Sequence, residues 1–283
     1  MIPQSELILN PDGSIYHLQA KPGQLAERII TVGDQERVDL FERHFEKIDT
    51  RITNREFRII TGTVRGERIS VLSTGIGTDN IDIAINEIDA LFNIDFEKRT
   101  VKDDKTILHF IRVGTSGAIR PEIKIDSFIR SSSAIGFDGL MHFYDSSHVR
   151  NLALEGIIRS HMKMYTLYAI DASSHLLDHF DSIGKEGITI TAPGFYAPQS
   201  RKLRLDFSFD IIKSVLEIEL ENQAITNLEM ETAGIYGLAR MLGHEAISLN
   251  AILANRYTEE FSDKPSSTIN HLVEQALELA LKI

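Results

Sequence analysis

The chain has 283 residues, of which 42% are hydrophobic and 25% charged, values typical of a soluble globular protein. Its formal net charge of −11 argues against nucleic acid or an anionic membrane surface as the main partner. There are no cysteines, so the sequence excludes a disulfide framework, a thiolate metal site and a cysteine nucleophile. The start of the chain has no signal-peptide pattern and no apolar run is long enough to span a membrane, so we expect a cytoplasmic protein.

The first part of the chain alternates short apolar runs with amphipathic stretches. The pattern predicts strands over 28–33, 57–64, 68–73 and 107–113, with a hairpin at Arg65-Gly66-Glu67. It predicts a helix over 36–45 and a second one that begins at Asp79 or Asn80, both plausible N-cap residues. The charged segment 97–105 is expected to be solvated.

The same alternation continues to the end of the chain. Strands are predicted over 125–131, 187–191 and 245–253, and helices over 173–180, 210–220, 229–242 and through the C-terminal segment. Helices between strands are typical of a layered α/β domain. Since repeats, low-complexity tracts and linkers are lacking, residues 1–283 are interpreted as a single domain.

Two strand-to-helix turns carry glycines. Gly33 and Arg37 lie where the first strand gives way to the first helix, so backbone, helix dipole and guanidinium could meet an anion there. The alternative is an ordinary turn with a surface arginine. Segment 74–80 begins like a dinucleotide-binding fingerprint, but Asn80 stands where the third glycine belongs, which favours a tight turn at the floor of a pocket.

The segment Ile111 to Ile119 is the most informative one. Its apolar strand ends in a turn rich in glycine, threonine and serine that carries Arg112, so N–H groups, hydroxyls and a guanidinium can be presented together to phosphate.

Three further patterns suggest ligand contacts. Glu229-Met230-Glu231 suits a sugar, because carboxylates accept hydroxyl hydrogen bonds and the thioether packs on the ring, although acids in a first helical turn are also common. Gln199 and Arg201 could recognise an amide-like edge beside Phe195, unless the loop is surface decoration. His175 and His179 are one helical turn apart, but no third ligand is evident, so we expect no metal.

Taken in order, these segments resemble the uridine phosphorylase branch of the nucleoside phosphorylase family. The motifs Gly-Asp-Pro-x-Arg, Ser-Thr-Gly-Ile-Gly, Arg-Val-Gly-Thr-x-Gly-Ala-Ile and Glu-Met-Glu correspond to 33–37, 73–77, 112–119 and 229–231, with Gln35 in place of the proline. The resemblance covers nearly the whole chain and implies a three-layer α/β/α single domain with a mixed central sheet. Segment 149–169 has no clear counterpart.

The resemblance also assigns roles to residues. Those implied to bind phosphate are Gly33, Arg37, Arg112 and Thr115, with Arg55 supplied by a neighbouring subunit. Those implied to bind ribose are Thr115, Met230 and Glu231, with His17 reaching the 5′-hydroxyl across the same interface. Those implied to bind the base are Phe195, Gln199 and Arg201. The catalytic set is expected to be Arg112, Glu231, Arg201 and Arg256.

The activity implied is phosphorolysis of a pyrimidine ribonucleoside, with uridine first, to free base and ribose 1-phosphate. Inorganic phosphate is the co-substrate and no cofactor is expected. Asn255-Arg256 stands where purine-cleaving relatives carry Ser-Asp, which favours a pyrimidine. A purine nucleoside phosphorylase, a hydrolytic nucleosidase and a non-catalytic nucleoside sensor are the alternatives. Shared sites imply a homo-oligomer, at least a dimer, and hexamers are common among relatives.

Overall fold

The computed structural model describes residues 1–162, 166–221 and 223–283. The strands are β1 (Arg28–Val32), β2 (Lys47–Asn54), β3 (Phe57–Val64), β4 (Glu67–Ser73), β5 (Ile94–Asp95), β6 (Thr100–Val101), β7 (His109–Ala118), β8 (Phe128–Gly136), β9 (Tyr168–Asp171), β10 (Lys185–Thr191), β11 (Ile225–Glu229), β12 (Glu245–Asn255) and β13 (Glu260–Phe261). The helices are α1 (Gln35–Glu42), α2 (Thr78–Asn93), α3 (Leu152–His161), α4 (Ser174–His179), α5 (Ile211–Leu216), α6 (Thr232–Leu242) and α7 (Pro265–Ala280).

One mixed sheet organises the fold. From its edge the strand order is β2, β3, β4, β1, β7, and β7 then pairs with both β12 and β11. Because β12 continues to β8, β10 and back to β11, these strands and β7 close into a small barrel. Strands β4, β1, β7 and β12 run parallel, so their carboxyl ends lie at one edge of the sheet.

Helices cover both faces of the sheet. On one face α2 and α6 contribute Ile85 and Leu238 to an apolar cluster, and on the other α1 and α7 contribute Phe41 and Leu272 to a second cluster. A third cluster lies where α3 and α5 pack on the barrel. The expected α/β architecture with a mixed central sheet is therefore confirmed. No helix in the described parts of the chain is long and apolar enough to cross a membrane.

The structure confirms one predicted turn and corrects two predicted element boundaries. The hairpin at 65–67 is confirmed, and Arg65 and Gly66 take φ of 51° and 83°, as a tight two-residue turn requires. The expected cap at Asp79 or Asn80 is wrong, because α2 already begins at Thr78 after Gly77. Strand β8 runs to Gly136, beyond the expected end at 131, because its serines are buried inside the protein instead of marking a loop.

Three regions contain elements that the periodicity did not show. The helix expected over 229–242 begins only at Thr232, because 225–229 form the buried strand β11. Segment 149–169 contains α3 and the start of β9, while 163–165 lie outside the described residues. Strand β2 was also missed, since most of its residues are partly or fully exposed and carry little apolar signal.

A buried polar network ties the barrel strands together. The Asn227 side chain on β11 accepts hydrogen bonds from Thr189 Oγ1 at 3.0 Å and Thr226 Oγ1 at 2.8 Å, and donates to Ser116 Oγ at 2.9 Å. All four side chains are buried. The network therefore connects β10, β11 and β7 where the sheet closes on itself.

We expect Asn227→Ala to lower the free energy of unfolding by about 1–3 kcal/mol, since it removes the buried donor to Ser116 and the buried acceptor of Thr189 and Thr226. Urea unfolding followed by circular dichroism measures the change. The matched control is Asn270→Ala, which should change stability by less than about 0.5 kcal/mol. Within the described parts of the chain, the Asn270 amide accepts a hydrogen bond only from the exposed Arg43, at 3.3 Å. Equal effects of the two substitutions would contradict a structural role for the network.

Candidate active site

The candidate site lies at the carboxyl edge of the parallel strands. The turns after β1 and β4 meet there, and a Cβ on Gly33 would lie 3.7 Å from the carbonyl oxygen of Gly75. Gly75 and Gly77 both have positive φ, which lets the second turn fold back over the strand ends. The Gly77 N–H donates to Glu231 Oε1 at 2.7 Å, so this turn holds a side chain of the site.

Arg112 lies at the centre of the site. Its Nη2 donates to Glu231 Oε2 at 2.5 Å and lies 3.0 Å from Glu229 Oε2, while Nη1 donates to Asn250 Oδ1 at 3.0 Å. The side chain reaches these partners by passing directly over Gly114, where an added Cβ would lie 1.7 Å from Nη1. Gly114 is therefore required for the path of the Arg112 side chain.

The two carboxylates beside Arg112 have different surroundings. Glu229 accepts from Thr191 Oγ1 at 2.6 Å and from the N–H groups of Glu231 and Thr232, so it holds the first turn of α6 in place. Glu231 has only Gly77 and Arg112 as hydrogen-bond partners among the described residues. Because a carboxylate can accept about four hydrogen bonds, Glu231 retains acceptor capacity for a ligand.

Burial and mutual contact set the ionisation of this cluster. Burial opposes the charge on Arg112, but the Glu229 and Glu231 carboxylates outweigh it and raise its pKa. Burial raises the pKa of Glu231, against the opposing effects of Arg112 and the Gly77 N–H. The guanidinium is thus held in its charged form inside the protein.

Arg37 brings a second guanidinium to the same place. It projects from α1, which Asp34 caps by accepting from the Glu36 N–H, and its Nη1 donates to the Val113 carbonyl at 3.2 Å. Burial, with repulsion from Arg112, lowers the pKa of Arg37. Thr115 lies two residues beyond Val113 on β7 and is partly exposed, and Met230 is partly exposed at the turn before α6.

Arg55 and His17 lie together at the side of this site. Arg55 is exposed in the turn between β2 and β3, and its carbonyl accepts from Gln35 Nε2 at 2.5 Å. Asn54 donates to the carbonyl of His17, whose Nδ1 lies 2.6 Å from Glu87 Oε1. Gln35, which replaces the motif proline, thus connects α1 to the turn that carries Arg55.

The residues expected to bind a base form a separate group beside the end of β7. The Arg201 guanidinium lies 3.7 Å from the ring centre of Phe195 and donates to Gln199 Oε1 at 2.6 Å. Gln199 is buried, while Phe195 is half exposed. Burial, followed by repulsion from Arg256, lowers the pKa of Arg201 to about 10, so this side chain keeps its charge at neutral pH.

Arg256 supports this group through the backbone. Its Nη1 and Nη2 donate to the carbonyls of Gln199 and Ser200, both at 3.0 Å, and its own N–H donates to Ala118 on β7. The loop that carries Gln199 is thereby fixed to the strand that carries Arg112. The neighbouring Asn255 takes no part in this group, since its side-chain amide donates to the carbonyls of Arg120 and Ile123.

Sequence reasoning missed Asn250 and the structural part played by Gly114. Asn250 is fully buried on β12 and donates to Ser131 and Ser248 while it accepts from Arg112. A signal was present, because Ser248 and Asn250 alternate with apolar residues in an otherwise apolar strand. Polar residues at period two on a buried strand indicate an internal polar partner.

This α/β fold places the buried Arg112 guanidinium, the partly buried Arg37 and the buried Glu231 carboxylate together at the carboxyl edge of its parallel strands. Residues 27–283 match the sequence profile of the Phosphorylase superfamily. The chain is 32% identical to uridine phosphorylase of Thermococcus kodakarensis over 264 residues, which are 92% of this chain and 82% of that protein. The chain belongs to the phosphorylase superfamily.

Other relatives include both purine and pyrimidine enzymes. A DeoD-type purine nucleoside phosphorylase of Bacillus cytotoxicus is 28% identical over 271 residues, covering 94% of this chain and 98% of that protein. The structure of a Trypanosoma brucei nucleoside phosphorylase described as showing uridine phosphorylase activity is similar with a TM-score of 0.89 at 26% identity, covering 98% of this chain and 100% of that one.

We expect Gly114→Ala to weaken the binding of inorganic phosphate by at least about tenfold, because the added methyl group displaces the Arg112 guanidinium from Glu231. Isothermal titration with phosphate measures the loss. The matched control on the same strand is Gly117→Ala, where the new Cβ would meet Arg256 Cγ at an ordinary 3.5 Å. Phosphate affinity that is unchanged in Gly114→Ala would contradict the assignment of Arg112 to the anion site.

Proposed function

We propose that the protein is a phosphate-dependent pentosyltransferase that cleaves uridine to uracil and ribose 1-phosphate. The observation that carries this proposal is the direct contact between Arg112 and Glu231, with Arg37 packed beside them. It places a side chain suited to an anion directly beside a side chain suited to sugar hydroxyls, as a reaction between phosphate and a ribose requires. The resemblance to uridine phosphorylases supports the same assignment.

The phosphate half of the site is formed by Gly33, Arg37, Arg112 and Thr115. In the reaction a phosphate oxygen attacks C1′ of the ribose while the bond between C1′ and N1 of the base breaks. Positive charge develops on the sugar ring, and the phosphate oxygens held by the arginines lie next to it. Fixed charges of this kind act without the reorganisation that water would need.

The ribose half is formed by Glu231 and Met230. Glu231 uses its remaining acceptor capacity for the ribose hydroxyls, and Met230 packs on the sugar. Because Gly77 and Arg112 fix the Glu231 carboxylate, the ring is oriented before the reaction starts. Holding the ribose in the reactive orientation lowers the activation barrier of the reaction.

The base half is formed by Phe195, Gln199 and Arg201. The electrons of the broken bond move to the uracil ring, where the Arg201 guanidinium and the Gln199 amide stabilise the negative charge. The uracil anion then takes a proton from solvent. Arg256 acts as a positioning residue, since it holds the backbone of Gln199 and Ser200.

The positions of Arg55 and His17 favour an oligomeric enzyme. Arg55 is exposed, and its chain neighbour Asn54 donates to the carbonyl of the partly exposed His17, so both residues can serve a site in a second copy of the chain. We propose a homo-oligomer, a dimer at least, in which the partner subunit completes the phosphate and ribose contacts. No cofactor is required by this mechanism, because phosphate is both nucleophile and charge stabiliser.

The assay that tests the proposal compares uridine cleavage with and without inorganic phosphate. We expect cleavage only with phosphate, and Arg37→Ala to lower kcat/KM for phosphate by about 100- to 1,000-fold, the usual loss on removing a positioned donor. Arg37 is a better probe than Arg112, whose removal would leave two buried carboxylates unpaired and cost about 3–5 kcal/mol of stability.

The control is Arg43→Ala. Arg43 lies at the end of α1, the helix that carries Arg37, and its side chain contacts Asn270 and Glu274. The variant should retain full activity. Cleavage without phosphate would identify a nucleosidase instead, and tight nucleoside binding without product would identify a sensor.

A second test addresses the base. We expect Gln199→Met, which keeps the side-chain volume and removes the amide, to lower kcat/KM for uridine by about 100-fold while KM for phosphate stays within about twofold. Gln275→Met, on the outer face of α7, is the matched control. Faster cleavage of inosine than of uridine by the unaltered protein would overturn the pyrimidine assignment in favour of a purine nucleoside phosphorylase.

A further inference from the structure

A cluster of two histidines and a glutamate lies at the opposite end of the sheet from the proposed active site. His109 opens β7 and Glu245 opens β12, and the two residues are directly paired in the parallel ladder. His175 comes from the first turn of α4. The Ser173 N–H, at the cap of α4, donates to the carbonyl of Ala246 at 3.1 Å, which fixes the helix beside Glu245.

The three side chains converge on one carboxylate oxygen. His175 Nδ1 lies 2.9 Å and His109 Nε2 lies 3.3 Å from Glu245 Oε2. All three potential ligand atoms lie within 4.8 Å of one another. In a tetrahedral site with bonds of about 2.0–2.2 Å, ligand atoms are separated by about 3.3–3.5 Å, so small side-chain rotations suffice to place an ion among them.

The surroundings leave this cluster able to accept a cation. Arg28 lies next to His109 in the neighbouring strand, but its guanidinium is paired with Glu67 at 2.8 Å. The side chains of His109 and Glu245 are 22% and 29% exposed and that of His175 is 59% exposed, so an ion can enter from solvent. A water molecule can then occupy the fourth position.

His175 and His179, one helical turn apart in the sequence, do not both belong to this cluster. His179 Nε2 lies 2.9 Å from the carbonyl of Leu279 and is committed to α7. His109 Nδ1 is buried without a hydrogen-bond partner among the described residues. A ligand histidine normally has a partner on its second nitrogen that strengthens metal binding, so affinity here should fall below that of closed structural sites.

We propose that His109, His175 and Glu245 bind one divalent transition-metal ion of the zinc class, with solvent as the remaining ligand. Two imidazoles and one carboxylate form a donor set that zinc uses in open, three-ligand sites. The ion would connect α4 to the amino ends of β7 and β12. This role is structural and independent of the nucleoside chemistry at the other end of the strands.

Zinc titration of the tag-free protein after dialysis against a chelator tests the proposal. We expect one equivalent per chain, and a rise in the thermal midpoint of about 5 °C when zinc exceeds Kd about 100-fold. Cobalt(II) added instead of zinc should give the visible absorption of a low-coordinate site. His175→Ala should weaken zinc binding by about 100-fold or more, since it removes a direct ligand.

The matched control is His179→Ala on the same helix, which should bind zinc as the unaltered protein does. His175 is exposed, so its substitution carries little risk to folding, and Glu245→Gln offers a second variant of unchanged shape. The proposal is overturned if the unaltered protein takes up no zinc, or if His175→Ala retains the one-site titration. Binding that His175→Ala and His179→Ala lose equally would place the ion elsewhere among the ten histidines and would overturn it as well.

Discussion

The site depends on one buried ionic contact, that of the Arg112 guanidinium with the Glu229 and Glu231 carboxylates. Charges taken out of water are tolerated only when they are paired and their remaining hydrogen bonds are made. Here Asn250, Thr191 and the N–H of Gly77 supply those bonds. The candidate site is therefore part of the protein interior, and its geometry is fixed by the same contacts that make the interior stable.

Closure of the sheet is what brings these charges together. Strand β11 pairs antiparallel to β7, so the chain leaving β11 delivers both glutamates to the side of Arg112. The parallel pairing of β12 with β7 places Asn250 beside the same guanidinium. An open sheet with the same strands would leave at least one of these groups buried without its partner. The strand pairing thus determines which polar and charged groups meet at Arg112.

The sequence predicted the elements better than the contacts between them. The turn expected after Val113 is wrong, because β7 continues to Ala118 in pairing with β12. Glycine-containing turns and the arginine of β7 are local patterns, so the sequence marked Gly33, Arg37 and Arg112 as candidates, and the resemblance to nucleoside phosphorylases gave them a role. Asn250 and the cluster of His109, His175 and Glu245 depend on strand register across more than 60 residues, which no local pattern encodes. Strand β11 was not recognised in the sequence, because it is short and runs into α6 through the Glu229-Met230-Glu231 motif.

A protein of net charge −11 binds an anion only through a local excess of positive charge. Arg37 and Arg112 repel one another, and burial lowers the pKa values of Arg37, Arg201 and Arg256 because it penalises their charged forms. The fold maintains this unfavourable arrangement through the surrounding carboxylates and carbonyls. An anion placed between Arg37 and Arg112 would be attracted by both guanidinium groups and would weaken their mutual repulsion, which supports the proposal that phosphate binds there.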